Sequence, residues 1–245
     1  MSEWTHADGK GAGRSRRISG DRPRAHNGTG EAERAIFEAT ERLLIEVPLH
    51  ELSVAQIISA AGVSRATFYF YFSSKFAVVT GLLERVMDEI FASVQPFVGR
   101  PGGQPPEAAL RQALQESTKV WAAHRHALGA VMEHWHAVPE LRELWLAVVE
   151  RFTAAVAAEI ERERKQGVAP PGPDSRHVAA CLIWGTERCL YVAGLGVDAS
   201  IPREEDLVEP LMTLWLGVLY SGRKSGKPAR EAKAPARRPK SAKRA

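Results

Sequence analysis

Arg65, Thr67, Tyr69, Tyr71 and Lys75 lie within eleven residues of one another, and their side chains match what a DNA duplex presents. An arginine can donate two hydrogen bonds to a guanine edge, and a threonine methyl can meet a thymine methyl. Tyrosine hydroxyls and a lysine ammonium suit phosphate oxygens, contacts that position a protein without reading sequence. Ala66 and Arg65 lie three and four residues before Tyr69, so each neighbours it on a helix. Ser53 and Ser64 stand where helix starts would leave amides free for an anion.

Such a set works only if short helices hold it. Ser53 and Gln56 form an S-x-x-Q capping box, and Leu52 and Ile57 stand where a hydrophobic staple would. Ile57, Ile58 and Ala61 supply a buried stripe, Gly62 permits a sharp turn, and Ser64 caps a second helix. Ser73 or Ser74 caps a third. Two short helices joined by a glycine turn predict a helix-turn-helix, whose second helix enters the major groove. The run Phe68-Tyr69-Phe70-Tyr71-Phe72 alternates as a strand would, but the caps and turn around it predict a helix. A helical wheel does not separate its groove face from its core face.

Residues 53–75 resemble the DNA-binding signature of TetR-family transcriptional regulators, A-x-x-A-G-V-S-x-x-T-x-Y-x-[YH]-F-x-[SN]-K, which stands here as Ser59-Ala60-Ala61-Gly62-Val63-Ser64 through Lys75. The resemblance implies DNA contacts at Thr67, Tyr69, Tyr71 and Lys75, with Arg65 as base reader. Val54 and Ala55 are apolar where some members place polar contacts.

The +4 net charge of the 245-residue chain conceals a partition. Residues 1–30 carry 6 Lys/Arg against 3 Asp/Glu and residues 221–245 carry 10 against 1, leaving 17 against 25 in 31–220. Both termini are poor in large apolar residues and are expected to be disordered basic tails; the C-terminal one would attract phosphates by counterion release. No run of 18 apolar residues and no signal-peptide pattern is present, so no membrane partner is expected. Cys181 and Cys189, eight apart on one helix, would be roughly 12 Å from each other, too far for a bridge. A cytoplasmic, nucleoid-associated protein with free thiols is the expectation.

Periodicity predicts an all-α chain of about nine helices. An amphipathic helix over 31–47, with Ile36, Ala39, Thr40, Leu43 and Val47 inward, completes a DNA-binding head at 31–76. A body over 77–220 follows. Its first helix runs to about Phe97, a loop covers 99–106, and further helices span roughly 107–125, 127–136, 140–166, 174–196 and 204–220. The body holds Trp121, Trp135, Trp145, Trp184 and Trp215, with Phe152 seven residues after Trp145 and Tyr191 seven after Trp184. Such aromatics either fill a core or line a cavity.

The span 31–220 is also similar to the EthR-like subgroup of the same family, through Glu143-Leu144-Trp145, Glu187-Arg188 and the Trp215 helix ending Leu219-Tyr220. That resemblance implies an apolar tunnel for a small hydrophobic effector, lined by Trp145 and Trp215, with Trp121, Val149, Phe152, Thr186 and Tyr191 at neighbouring positions. Ile183 and Thr186 replace ligand-anchoring amides of the subgroup, and Phe152 replaces a tryptophan. It also implies a homodimer through the last two helices, where Ala179, Ala180, Gly185, Ala193, Gly194 and Gly217 are small. A repressor released from a near-palindromic double-stranded operator is the expected function; a DNA-coating protein without effector is the alternative. No catalytic or P-loop motif occurs, and no catalytic residue, cofactor or metal is assigned. His124, His126, His134 and His136 form two H-x-H pairs whose members do not share a helix face. The run 159–165 reads as a solvated face with i,i+4 pairing.

Overall fold

The computed structural model describes residues 29–100 and 104–221. The two basic tails and the centre of the 99–106 loop lie outside the described residues. Within them the chain is all-α, ten α-helices and one 3-10 turn: α1 Thr29–Glu46, α2 Val54–Ala61, α3 Arg65–Tyr71, α4 Lys75–Ser93, α5 Gln95–Val98, α6 Pro106–Ala123, α7 Arg125–His134, α8 Pro139–Lys165, α9 Ser175–Leu195, the turn Glu204–Asp206, and α10 Val208–Tyr220. The first three form a head against the start of α4; the remainder form a bundle around α8.

Local signals set most boundaries. The Ser53 capping box is made in both directions, with the Ser53 amide donating to Gln56 Oε1 at 2.8 Å and the Gln56 amide donating to Ser53 Oγ at 3.3 Å. Gly62 ends α2 at φ 65°, a left-handed conformation that costs glycine nothing. Ser64 and Ser74 cap α3 and α4, and Asp174 caps α9. Pro139 opens α8, whose 27 residues make it about 40 Å long.

One helix expected to reach Phe97 is broken. α4 stops at Ser93 and α5 restarts at Gln95. Pro96 is the cause: it lacks an N–H and its ring clashes with the carbonyl four residues back, so it survives only in a first helical turn.

The head core is Ile36, Phe37, Leu49, Leu52, Ile57, Phe68 and Phe72, all buried. Of the stripe predicted for α1, Ile36, Ala39 and Thr40 are buried, whereas Leu43 and Val47 are half-buried and Leu44 takes the inward position. α4 passes close over α1 because Gly81 has no side chain; a Cβ there would stand 3.0 Å from the Phe37 ring.

The acidic run on α8 corrects a sequence expectation. Glu159 and Glu163 are not solvated: they are 2% and 1% exposed. Arg100, just after α5, pairs with Glu163 and lies 3.6 Å from Glu159. Tyr220 donates to Glu163 at 2.6 Å, and Arg162 donates to Glu159 at 2.6 Å. Burial and the neighbouring Glu163 carboxylate hold the Tyr220 hydroxyl far above its ordinary range. The cluster ties α8 to the end of α10.

Head and body are also joined by charge. His124, between α6 and α7, bonds through Nδ1 to Glu41 of α1, and its Nε2 lies 4.0 Å from Glu89 of α4. The hydrogen bond to Glu41 raises the His124 pKa, with burial opposing. A raised folded pKa contributes stability that is complete below the unfolded value, about 6.5, and is lost as pH rises through the folded value. His124→Gln is therefore expected to lower stability by on the order of 1 kcal/mol at pH 5.5 and by little at pH 9. Urea melts of both proteins across that range check it; a gap that widened with pH would contradict the pairing.

Candidate functional site

The structure separates the faces of α3 that the wheel left mixed. Phe68 and Phe72 point into the head core at 0% and 7% exposure. Arg65, Ala66, Tyr69 and Phe70 face outward, and Thr67 and Tyr71 sit half-buried at the flanks. The Arg65 guanidinium carbon lies 5.4 Å from the Tyr69 ring centroid, an arrangement that keeps the guanidinium beside the outward face. Thr67 is held by Ser64, their hydroxyls 2.7 Å apart, while the Thr67 amide donates to Ser64 Oγ at 3.0 Å. Ser53 lies exposed at the start of α2, its hydroxyl engaged in the capping box.

Two residues differ from the sequence reading. Lys75, read as a phosphate contact, turns inward: its ammonium donates to the carbonyls of Leu49 at 2.7 Å, His50 at 3.0 Å and Leu52 at 2.7 Å. An ammonium has three donors, so all are occupied. Lys75 thereby clamps the α1–α2 connection against the start of α4. Phe70, absent from the predicted contacts, is 51% exposed beside Tyr69. Its signal was the helical spacing from Ala66, masked by the apolar character of phenylalanine. An exposed aromatic on this face can meet a thymine methyl.

In the body, α4, α5, α6, α8, α9 and α10 enclose a cavity of about 100 Å³. Six of the seven predicted lining residues meet there: Trp121, Trp145, Val149, Phe152, Thr186 and Trp215. The Trp215 indole donates to Thr186 Oγ1 at 2.9 Å, which takes up the hydroxyl standing in place of an amide. Tyr191 is not among them. It borders a separate, more polar hollow of about 330 Å³ beneath α1, formed with α7 and the end of α9. On α9, Thr186, Glu187 and Leu190 line the body cavity, whereas Tyr191 borders the other hollow. Glu187 was missed. It is 5% exposed, and burial holds its carboxyl above the usual range, with Arg188 only partly offsetting. The paired histidines act singly: His124 bonds Glu41, and His134 Nδ1 lies 2.8 Å from the Ala130 carbonyl.

Comparison with known proteins fits this division. Residues 36–81 match the family described as bacterial regulatory proteins, tetR family, and residues 110–221 match the transcriptional regulator EthR, C-terminal domain. The HTH-type transcriptional regulator EthR of Mycobacterium tuberculosis (strain ATCC 25618 / H37Rv) is 31% identical over 190 residues, covering 78% of this chain and 88% of the relative. The chain belongs to the TetR family of transcriptional regulators. A second EthR, from Mycolicibacterium smegmatis (strain ATCC 700084 / mc(2)155), is 30% identical over 207 residues, 84% of this chain and 90% of the relative. Among solved structures, the fatty acid degradation regulator FadR from Bacillus halodurans superposes with a TM-score of 0.65 at 21% identity, over 76% of this chain and 95% of that one. FadR from Bacillus subtilis in complex with stearoyl-CoA gives 0.63 at 17% identity, over 76% and 99%. This TetR-family chain thus shares its fold with regulators well outside the EthR group.

Proposed function

We propose that this TetR-family regulator is a dimeric repressor that reads a near-palindromic double-stranded operator through α3 and leaves it when a small hydrophobic effector enters the body cavity. The observation that carries this reading is the course of α4. It begins at the capped turn that follows α3, and its later residues Met87 and Ile90 line the cavity. One rigid element therefore touches both places, so a change in cavity width moves the head. The effector can shift DNA affinity only by its differential affinity for the two arrangements.

On the DNA side, Arg65, Ala66, Thr67, Tyr69 and Phe70 would face base edges. Tyr71 and the helix starts at Ser53 and Ser64 would lie near phosphates, and Lys75 acts as a positioning residue. The head itself is not basic, 5 Lys/Arg against 7 Asp/Glu over 31–85, so base contacts must carry much of its specificity. A coating protein would have to rely on the basic tails, because residues 31–220 carry 17 Lys/Arg against 25 Asp/Glu.

Dimerisation through α9 and α10 follows from what the chain leaves uncovered. α9 is the one helix among the described residues long and apolar enough to cross a membrane, although no uninterrupted apolar run exists, and only 22% of its most apolar window is buried in the chain. Beside it α10 exposes Leu214 at 43% and Val218 at 47%, with Gly217 between them open to close approach. Gly185 on α9 is likewise open. Ala179 and Gly194, expected at this interface, are used within the chain: Ala179 is fully buried, and a Cβ at Gly194 would meet Glu204 at 3.1 Å. A second copy covering this face suits a cytoplasmic, nucleoid-associated regulator better than a lipid bilayer does, because Glu187 and Arg188 interrupt the helix centre.

The test is a footprint on DNA flanking the protein's own gene, followed by affinity measurement on the protected site. Arg65→Ala is expected to weaken specific binding roughly 5- to 150-fold while leaving affinity for random DNA nearly unchanged. Full operator affinity in the variant would sink the assignment of α3.

A further inference from the structure

Glu187 stands without a hydrogen-bond partner in the wall of an otherwise apolar cavity. Both carboxylate oxygens are buried and accept nothing. The nearest cation, Arg188 Nη2, is 3.8 Å from Oε2 on a side chain 52% exposed, beyond hydrogen-bond distance. No neighbouring donor is bonded to it. Ser117 Oγ donates to the Leu114 carbonyl at 3.2 Å, and Thr186, whose Oγ1 accepts from Trp215, makes no bond to the carboxylate. Trp145 Nε1, a donor, is buried and likewise unpartnered. Buried carboxylates are normally paired or hydrogen-bonded, because isolation in an apolar site is costly. Here the chain supplies no hydrogen-bond partner, and Glu187 lines the same cavity as Trp145, Phe152 and Trp215.

We propose, on the reading that this cavity receives the effector, that the effector is a hydrophobic amine whose ammonium pairs with Glu187 while its chain lies among the aromatic rings. An ammonium supplies the missing donors and a compensating charge, and indole and phenyl rings attract cations that must shed water. A fatty carboxylate would bring a like charge against Glu187 and is disfavoured.

The experiment titrates the full-length protein with decylamine, decanol and decanoate, followed by tryptophan fluorescence and by calorimetry. The expected result is decylamine binding at least about tenfold tighter than decanol, with decanoate weakest. Glu187→Gln should erase the amine preference while leaving decanol affinity within about twofold. Glu187→Leu, which removes a buried unpaired charge, should fold at least as stably and behave in the same way. Equal affinity of amine and alcohol for the unaltered protein, or a preference that survives Glu187→Gln, overturns the amine assignment and leaves the cavity reading standing. Failure of all three compounds to bind overturns both.

Discussion

Lys75→Met is expected to destabilise the protein by about 3 kcal/mol and to weaken binding to every DNA sequence tested. The ammonium serves the Leu49, His50 and Leu52 carbonyls at 2.7 to 3.0 Å. Hydrogen bonds to charged groups contribute about 1.5–3 kcal/mol, and acceptors left unsatisfied add their desolvation cost. Leu49 and Leu52 flank the connection that seats α2, and both are 1% exposed. Loosening that connection displaces α2 and with it the Gly62 turn that leads into α3. Urea unfolding by circular dichroism gives the stability, and DNA titration against salt gives the role. A positioning lysine leaves the slope of log affinity against log salt unchanged. A phosphate-binding lysine lowers the slope by about one and leaves stability nearly intact. The second pattern would restore Lys75 to the DNA surface.

Leu214→Glu combined with Val218→Glu is expected to convert the dimer to a monomer and to lower operator affinity by about 100-fold or more. Both side chains are exposed within the chain, at 43% and 47%, so the folded monomer tolerates a charge at either. The charge becomes costly only when a partner helix covers it, and a two-fold interface carries each substitution twice. Each head would then bind alone, without the effective concentration that tethering to a second half-site provides. Sedimentation equilibrium reports the assembly state, and the thermal melt of the monomer reports that it remains folded. A variant that stays dimeric would place the interface on some other face.

How far the sequence alone reached depended on the range of the interaction in question. The start of α2 was legible because Ser53 and Gln56 satisfy each other across three residues, and the glycine turn because Gly62 alone tolerates φ 65°. The break at Pro96 was legible in principle, since the ring clash involves the carbonyl only four residues back. Six lining residues were reached through likeness to relatives rather than from periodicity, because a stripe of aromatics looks the same whether it faces a core or a cavity.

What escaped depended on residues far apart in the chain. Lys75 reads as a surface cation until the carbonyls 23 to 26 residues earlier are brought against it. Glu163 reads as solvated until Arg100, 63 residues away, and Tyr220, 57 residues away, close over it. Phe70 is ambiguous on a helical wheel until Phe68 and Phe72 are seen to fill the inward side of α3. The sequence by itself therefore determined the helices, their caps, the helix-turn-helix and the family, all of which rest on contacts within a turn or two or on a compact motif. Only the tertiary structure decided which charges are buried, which aromatic faces outward, and that Glu187 lines the cavity without a hydrogen-bond partner. Burial and pairing are properties of the space between helices, and no local spacing encodes what another helix brings to it.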